Sequence, residues 1–285
     1  MKKIGFVVCG NSGIDYLDHD YDIRVIRSTL LFGDKEYTDF VDIKAEDFYK
    51  QLKENPDLHP TTAQTATGVI LETYEQLKKD GYTDAIVVTI SSKLSGTYEG
   101  AKMAASMVEG INVHVFDSLS LSYNEAYMVL RAAELAQAGK DVPEIIDELS
   151  WIREHQGLYV SVDTLRYLVK NGRLSGASGF LGSFLKIKPM LHLTREGRVE
   201  PVEKIRTRKK AIERIIEKFL DDFEDAKNME VFVIHSNAFD AIDYVKDKLK
   251  AARPDFGEIK DYPLTPVVGA HAGPGAIAIG WILKR

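Results

Sequence analysis

Short aliphatic runs alternate with longer amphipathic segments through the first half of the chain. The runs are rich in β-branched residues, which favours strands, whereas apolar residues recur at helical spacing in the longer segments. The predicted strands are Ile4–Val8, Asp22–Leu31, Asp84–Ile90 and Val113–Asp117. The predicted helices are Ala45–Lys53, Gly68–Lys79, Gly96–Val108, Ser122–Ala138 and Val142–His155. Such alternation is typical of crossover helices that join parallel strands, so a Rossmann-like α/β domain with a largely parallel sheet is expected.

The last two of these helices follow one another without an intervening strand, which indicates the end of a domain. We place the boundary near Glu154, with domains over 1–154 and 155–285. In the second half, Arg195-Glu-Gly197 predicts the turn of a hairpin. The other elements predicted there are strands at Leu158–Val162, Lys186–Thr194, Arg198–Lys204, Val231–His235 and Ala276–Leu283, and helices at Thr164–Lys170, Thr207–Asp222 and Phe239–Ala251. This mixture predicts an α+β domain with a mixed or antiparallel sheet.

A glycine-rich segment, Gly269-Ala-His-Ala-Gly-Pro-Gly-Ala276, is expected as a loop between the strand-like run Pro266–Val268 and the terminal strand. Glycine lets a ligand approach the main chain and proline fixes its own φ, so His271 is expected on a defined turn. An imidazole has an unperturbed pKa of about 6.5, which makes its neutral and protonated forms both accessible. The alternative is a tight turn between strands with an incidental histidine.

Three other segments place hydroxyls, glycines or a cation where an apolar run stops. Ser91–Tyr98 opens a helix directly after a predicted strand, where open α/β sheets bind ligands and helix N–H groups face anions. Thr61–Gln64 precedes another helix, and its hydroxyls have capping of that helix as their alternative role. Arg173, within Asn171–Ser175, either supplies a charge to a site or is a solvated surface residue.

Composition narrows the classes of partner. The chain of 285 residues has a formal net charge of −6 and no block of Lys or Arg, which argues against nucleic acid and anionic membrane surfaces. Cys9 is the only cysteine, so disulfides are excluded and a core position is expected for it. Neither a cleavable signal pattern nor an apolar run of membrane-spanning length occurs, so the protein is expected to be cytoplasmic.

The order of the chemistry-bearing segments resembles that of the DegV-like fatty-acid-binding proteins of bacteria, over nearly the whole chain. The segments that carry the resemblance are Thr62–Gln64, Ile90–Tyr98, Asp163–Ser175, Lys188-Pro189, Arg206–Ala211 and Gly269–Gly275. The resemblance implies a two-domain lipid carrier rather than an enzyme, with no cofactor or metal ion. Such a carrier encloses one long-chain fatty acid of the palmitate, stearate or oleate class, with its tail in a tunnel and its carboxylate at the domain junction.

The same resemblance implies roles for single residues. Thr62 and Ser95 would supply the hydroxyls that hold the carboxylate, and Gly96 would lend main-chain groups. Arg173 and His271 would line the polar end of the site.

A partner protein is implied as well. In the better-understood branch of the family, the carrier hands its acid to a fatty-acid kinase, which makes an acyl phosphate for phospholipid metabolism. Arg206, together with His271, would face the kinase or the phosphoryl group.

Two segments depart from the family pattern. The usual Thr-Asp-Ser-Thr-Ala-Asp opening is replaced by Val8-Cys-Gly-Asn-Ser-Gly-Ile-Asp15, in which Asn11 and Ser12 stand for Asp-Ser and one acidic group is lost. The usual Thr-Ser-Gln-Pro-Ser is replaced by Thr62-Ala-Gln-Thr-Ala66, so that Ala63 and Ala66 take the places of serines and Thr65 that of a rigid proline. These departures bear on chain-length preference and on the kinase connection more than on carboxylate binding.

Two rival functions remain open at this point. A small-molecule hydrolase or phosphatase could use a cleft lined by Ser and His, although Gly-x-Ser-x-Gly, His-Glu-x-x-His and the P-loop pattern are all absent from the chain. A nucleotide or sugar-phosphate binder could use the same helix N-terminus.

Overall fold

The computed structural model describes residues 3–176, 187–224 and 227–285. Its strands are β1 Ile4–Cys9, β2 Ile23–Ile26, β3 Thr29–Phe32, β4 Lys35–Thr38, β5 Thr61–Ala63, β6 Asp84–Thr89, β7 Asn112–Asp117, β8 Gln156–Ser161, β9 Met190–Leu193, β10 Val199–Glu203, β11 Met229–His235, β12 Lys260–Pro263 and β13 Ile277–Leu283. Its helices are α1 Ala45–Glu54, α2 Thr67–Lys79, α3 Thr97–Met107, α4 Tyr123–Gln137, α5 Val142–Glu154, α6 Arg166–Lys170, α7 Arg208–Asp222, α8 Phe239–Ala252 and α9 Pro266–Ala272.

Four parallel strands form the first sheet, in the order β2-β1-β6-β7. β6 is buried along its whole length, as expected for a strand with helices on both faces of its sheet. Ile86 belongs to the same apolar cluster as Val129 of α4, whereas the next residue, Val87, clusters with Tyr74 of α2. Successive side chains therefore face opposite helical layers, and the predicted α/β fold class is confirmed.

The predicted strand Asp22–Leu31 is wrong in its extent, because the chain changes sheets in the middle of it. β2 pairs with β1, whereas β3 pairs with β4 and β5 in a three-stranded antiparallel sheet that the sequence did not reveal. The change follows Arg27, whose guanidinium donates to both carboxylate oxygens of Asp15, at 2.6 and 2.8 Å. Both flanking strands are partly buried, so the apolar pattern continues through the break.

Six strands form the second sheet, in the order β10-β9-β8-β13-β11-β12. Among the described pairs within this sheet, β11–β12 is parallel and the others are antiparallel. The predicted β9–β10 hairpin is confirmed, although its first strand is shorter than expected and Lys186 lies outside the described residues. Phe219 of α7 and Val245 of α8 cluster with one face of this sheet. The mixed sheet predicted for the second half is present, while the domain division at residue 154 stays a prediction.

The apolar run Pro266–Val268 begins helix α9 and is not the strand expected there. Pro266 occupies the first turn of the helix, where proline's fixed φ is suitable and its missing N–H costs nothing. α9 packs so closely on α1 that a Cβ on Gly269 would overlap the hydroxyl group of Tyr49. His271 therefore lies in the last turn of a helix rather than on a loop.

Candidate functional site

A cavity of about 420 Å³ lies between the first sheet and the inner face of the six-stranded sheet. Leu158 and Val160 both line it, because alternate side chains along β8 point to the same face, and Val162, just after the strand, lines it too. Its polar lining residues are Asn11, Ser28, Thr62, Gln64, Ser95, Ser122, Arg173, His192 and His271. The volume falls in the range of roughly 300–1,000 Å³ that is typical of small-molecule sites.

The carboxyl ends of the four parallel strands open into this cavity. Asn11 follows β1, Ser28 follows β2, Ile90 follows β6 and Ser122 follows β7, and all of them line the wall. Ligands of open α/β sheets bind at this edge, beside the point where the strand order reverses. β2 and β6 flank β1 on opposite sides, so the reversal falls next to Asn11.

Thr62 and His271 meet in the cavity wall, although they are distant in sequence. Thr62 is held on β5 by its pairing with Leu30 of β3, and its Oγ1 lies 2.8 Å from His271 Nε2. The alternative in which Thr61–Gln64 caps a helix is wrong, because Thr61–Ala63 form β5 and the N-cap of α2 is Ala66, which makes no side-chain capping bond.

Burial lowers the pKa of His271 from 6.5 to about 4, with further lowering by the nearby Arg173 guanidinium and by His59. The imidazole is therefore neutral near neutral pH, and the expectation that its protonated form is accessible there is wrong. Within the described residues, its buried Nδ1 has no hydrogen-bond partner. A bare acceptor is more readily tolerated there than an unpaired N–H, so we assign the proton to Nε2, which then donates to Thr62 Oγ1. The Thr62 hydroxyl keeps its own proton for another acceptor.

Arg173 lines the same cavity and is half-buried, which contradicts the alternative of a freely solvated side chain. Its Nε donates to the Leu94 carbonyl at 3.2 Å and its Nη1 to the Asn171 carbonyl at 2.6 Å. Asn171 Nδ2 in turn donates to the Ala270 carbonyl at 2.9 Å. These bonds bring three of the predicted segments together at one end of the cavity.

Ser95 lines the cavity, and Gly96 does not. Ser95 Oγ lies 2.8 Å from Thr97 Oγ1 and accepts the Thr97 N–H at 3.3 Å. Gly96 is the exposed N-cap of α3, where a Cβ would overlap the side chain of Gln64. This glycine therefore allows Gln64 to lie across the start of α3, and a main-chain role for Gly96 in binding stays a prediction.

Arg206 is exposed and lies outside the cavity lining, just before Thr207, the N-cap of α7. Arg208 points inward instead. Its Nη1 donates to Asp163 Oδ1 at 3.0 Å and to the Gly275 carbonyl at 2.5 Å. Arg208 thus holds the glycine-rich segment after α9, a role that the sequence did not reveal.

Glu125 is a further residue of this region that the sequence did not reveal. It is fully buried in α4, and its carboxyl oxygens accept Asn11 Nδ2 at 2.6 Å and the Cys9 N–H at 3.3 Å. Burial raises the pKa of Glu125 well above its usual range. The amide of Asn11 can donate a hydrogen bond to this carboxyl group. The aspartate that the family pattern has in place of Asn11 would instead bring two carboxyl groups together. The one sequence signal for Glu125 is that it is an acidic residue on the apolar face of a predicted helix.

The described residues contain neither a metal-binding cluster nor a membrane-spanning helix. Across the described ranges, no group of three His, Cys, Asp or Glu residues could hold a metal ion. Cys9 is a buried core residue, as expected. No described helix is both long and apolar enough to span a membrane.

Comparison with known proteins identifies relatives along nearly the whole chain. A family model described as "Uncharacterised protein, DegV family" matches residues 14–284. A DegV domain-containing protein of Staphylococcus aureus (strain N315) is 38% identical over 275 residues, which are 95% of each chain. The crystal structure of DegV, a fatty acid binding protein from Bacillus subtilis, matches with a TM-score of 0.88 at 34% identity over 100% of both chains. That of a fatty acid binding DegV family protein from Streptococcus agalactiae matches with a TM-score of 0.91 at 25% identity over 100% of both chains.

Proposed function

Because the chain belongs to the DegV family, we propose that it binds one long-chain fatty acid, of the palmitate, stearate or oleate class, between its two halves. The observation that carries this proposal is that an apolar wall and a cluster of hydroxyls with a guanidinium line the same cavity. A fatty acid divides into apolar and polar parts in the same way. The solved relatives from Bacillus subtilis and Streptococcus agalactiae are described as fatty acid binding.

The carboxylate is held in this proposal by the hydroxyls of Thr62 and Ser95. Thr62 can donate to it because His271 supplies the proton of their mutual hydrogen bond. Arg173 adds positive charge, and its other guanidinium N–H groups have no partner among the described residues. Hydrogen bonds to an ionised group are about twice as strong as neutral ones, so this arrangement favours the ionised acid.

The acyl tail lies against the apolar side chains of β8, β9 and β13. Each methylene group removed from water contributes about 0.8 kcal/mol before ordering costs are subtracted. The tail therefore supplies most of the binding free energy, and the polar end sets the orientation.

A hydrolase or phosphatase is the alternative, since Thr62 and His271 have the contact that a nucleophile and its base require. In such sites a third group orients the base through its other nitrogen. Nδ1 of His271 has no such partner among the described residues, and a pKa of about 4 makes the imidazole a weak base. A carrier therefore fits the geometry better than a hydrolase.

We further propose that the protein presents its acid to a fatty-acid kinase. Ala63 and Gln64 line the cavity and are also exposed, which supports a polar end that a partner can reach. Arg206 lies exposed on the surface, where its charge can meet the partner or a phosphoryl group. His271 can contribute to this step as a neutral hydrogen-bonding group.

Acyl-phosphate formation with a purified fatty-acid kinase and ATP tests this presentation role. We expect Arg206→Ala to bind the acid like the parent and to support several-fold less acyl phosphate, because a surface charge affects the encounter rather than the cavity. Arg195→Ala, at another exposed arginine, is the matched control and should behave like the parent. Full turnover with Arg206→Ala would remove this residue from the interface, and a loaded carrier that an active kinase does not use would contradict presentation.

A further inference from the structure

The cavity contains a second polar pair, Asn11 and Ser122, that the proposed head-group contacts do not use. The two residues are neighbours through the first turn of α4. Ser122 immediately precedes this helix, and Asn11 donates to Glu125 within it at 2.6 Å. Their side chains are nearly inaccessible to bulk solvent, with relative exposures of 5% for Asn11 and 2% for Ser122.

The pair lies away from the Thr62–His271 contact, because α9 runs along the cavity between them. A Cβ placed on Gly13, two residues after Asn11, would lie 3.6 Å from Thr265 Cγ2, at the start of α9. His271 lies at the other end of that helix. A rise of about 1.5 Å per residue separates the two ends of α9 by roughly 9 Å.

The hydrogen-bonding groups of the pair are complementary to an alcohol. The Asn11 amide nitrogen is engaged by Glu125, which turns the Asn11 carbonyl oxygen away as an acceptor. The Ser122 hydroxyl makes no capping hydrogen bond to α4, and no other partner for it is found in the described ranges. A hydroxyl group can donate to the first and accept from the second. A carboxylate only accepts, so it could accept from Ser122 but would offer no donor to the Asn11 oxygen.

We propose that Asn11 and Ser122 bind a hydroxyl group on the acyl chain, so that the preferred ligand is a hydroxylated long-chain fatty acid. The inference rests on the proposed fatty-acid binding. An unsubstituted tail leaves these two polar groups without partners or leaves a water molecule between them, which requires at least two polar contacts. A hydroxylated chain supplies both hydrogen bonds itself and restricts the position of the tail.

Displacement of a fluorescent fatty acid by stearate, and by hydroxystearates whose hydroxyl group moves along the chain, tests this inference. We expect one positional isomer to bind about tenfold more tightly than stearate, a ratio that corresponds to one or two net hydrogen bonds. Ser122→Gly should remove this preference by weakening the best isomer and not stearate. Ser122 has a φ of 57°, which glycine adopts without strain, so this variant should fold. Asn11→Leu should act similarly.

Ser106→Ala, at an exposed serine of α3, is the control and should keep the preference. The inference is overturned if every hydroxystearate binds more weakly than stearate, since a water molecule or an unsubstituted tail then occupies the pair. It is also overturned if Ser122→Gly weakens stearate and the best isomer alike, because Ser122 then belongs to the head-group site. Failure of stearate and all isomers to displace the probe would instead contradict the proposed function.

Discussion

The hydroxyl of Thr62 carries one proton, and the neighbouring imidazole decides which acceptor receives it. If His271 were an Nδ1–H tautomer, Thr62 would have to donate to Nε2 and could not donate to a carboxylate. Burial keeps the imidazole neutral, and its Nδ1 has no partner among the described residues, so the Nε2–H tautomer leaves the Thr62 proton available. In the proposed binding mode, His271 thus acts through Thr62 as a positioning residue.

At the head group, we expect Thr62→Ala and Ser95→Ala each to weaken fatty-acid binding by roughly tenfold or more, because each removes a donor to a charged acceptor. The double variant should be weaker still, though not necessarily additive. Thr73→Ala, at a threonine outside the cavity lining, is the control, and isothermal titration with palmitate is the measurement. Parent-like affinity in both single variants would mean that the carboxylate is held elsewhere.

The burial of His271 also leads to a specific prediction about how the unfolding free energy depends on pH. In the unfolded chain the imidazole takes up a proton near pH 6.5, whereas in the folded protein, where its pKa is about 4, it does so only near pH 4. Its contribution to the unfolding free energy is therefore complete above the first value and is lost as the pH falls towards the second. The loss is on the order of 3 kcal/mol.

Urea unfolding across this pH range should show that the unfolding free energy falls more steeply with decreasing pH for the parent than for His271→Asn. Asp39, whose pKa burial raises to about 7, contributes with the opposite sign in both proteins and cancels in the comparison. Equal pH dependence of the two proteins would contradict the burial of a neutral imidazole.

At the scale of elements, the β9–β10 hairpin closes the cavity against the first sheet. Leu191, Leu193 and Val199 of the hairpin line the cavity, and at its turn the Gly197 carbonyl accepts the Ser91 hydroxyl at 2.7 Å. Gly197 has a φ of 79°, and a Cβ there would overlap Ser91 Oγ. Glycine at this turn therefore serves both the backbone conformation and the contact between the two halves.

Gly197→Ala should destabilise the protein by about 1–3 kcal/mol more than Gly33→Ala. Gly33 also has a positive φ, of 65°, but no atom of the described part of the chain lies within 4 Å of a Cβ placed there. The comparison thus separates steric overlap from backbone strain, and urea unfolding of both variants measures it. Equal losses in the two variants would mean that the hairpin turn does not pack against Ser91.

Local pattern predicted most elements of the fold because their causes are local. The capping box of Asp141 and Glu144 starts α5 where the sequence indicates, and the hairpin turn at Gly197 is likewise a short-range signal. The change of sheet after Arg27 and the packing of Gly269 on Tyr49 depend on residues distant in sequence, so periodicity missed them.

The residues of the candidate site likewise include some that the local sequence signals and others that depend on distant contacts. Thr62, Ser95, Arg173 and His271 occur in recognisable segments, and the structure places all four in one cavity wall. The hydrogen bond between Asn11 and Glu125 joins positions 114 residues apart, so neither residue's role follows from its own segment.

For the whole molecule, the position of the cavity explains how two unlike sheets can serve one ligand. The carboxyl edge of the first sheet contributes polar loop residues, whereas the inner face of the second contributes aliphatic side chains in alternation along β8 and β9. An amphipathic ligand between them contacts both kinds of surface. The proposed two-domain organisation, with its division at residue 154, places this ligand at the junction.

The central claim is that the folded protein encloses one long-chain fatty acid, and the lipid content of the purified protein tests it most directly. The protein is denatured, extracted with organic solvent and measured by mass spectrometry beside a control protein from the same host. We expect about one equivalent of long-chain acid per chain, because burial of the tail at about 0.8 kcal/mol per methylene makes its loss during purification slow. Recovery of no acid above the control, together with no binding of added palmitate or oleate, would contradict the account.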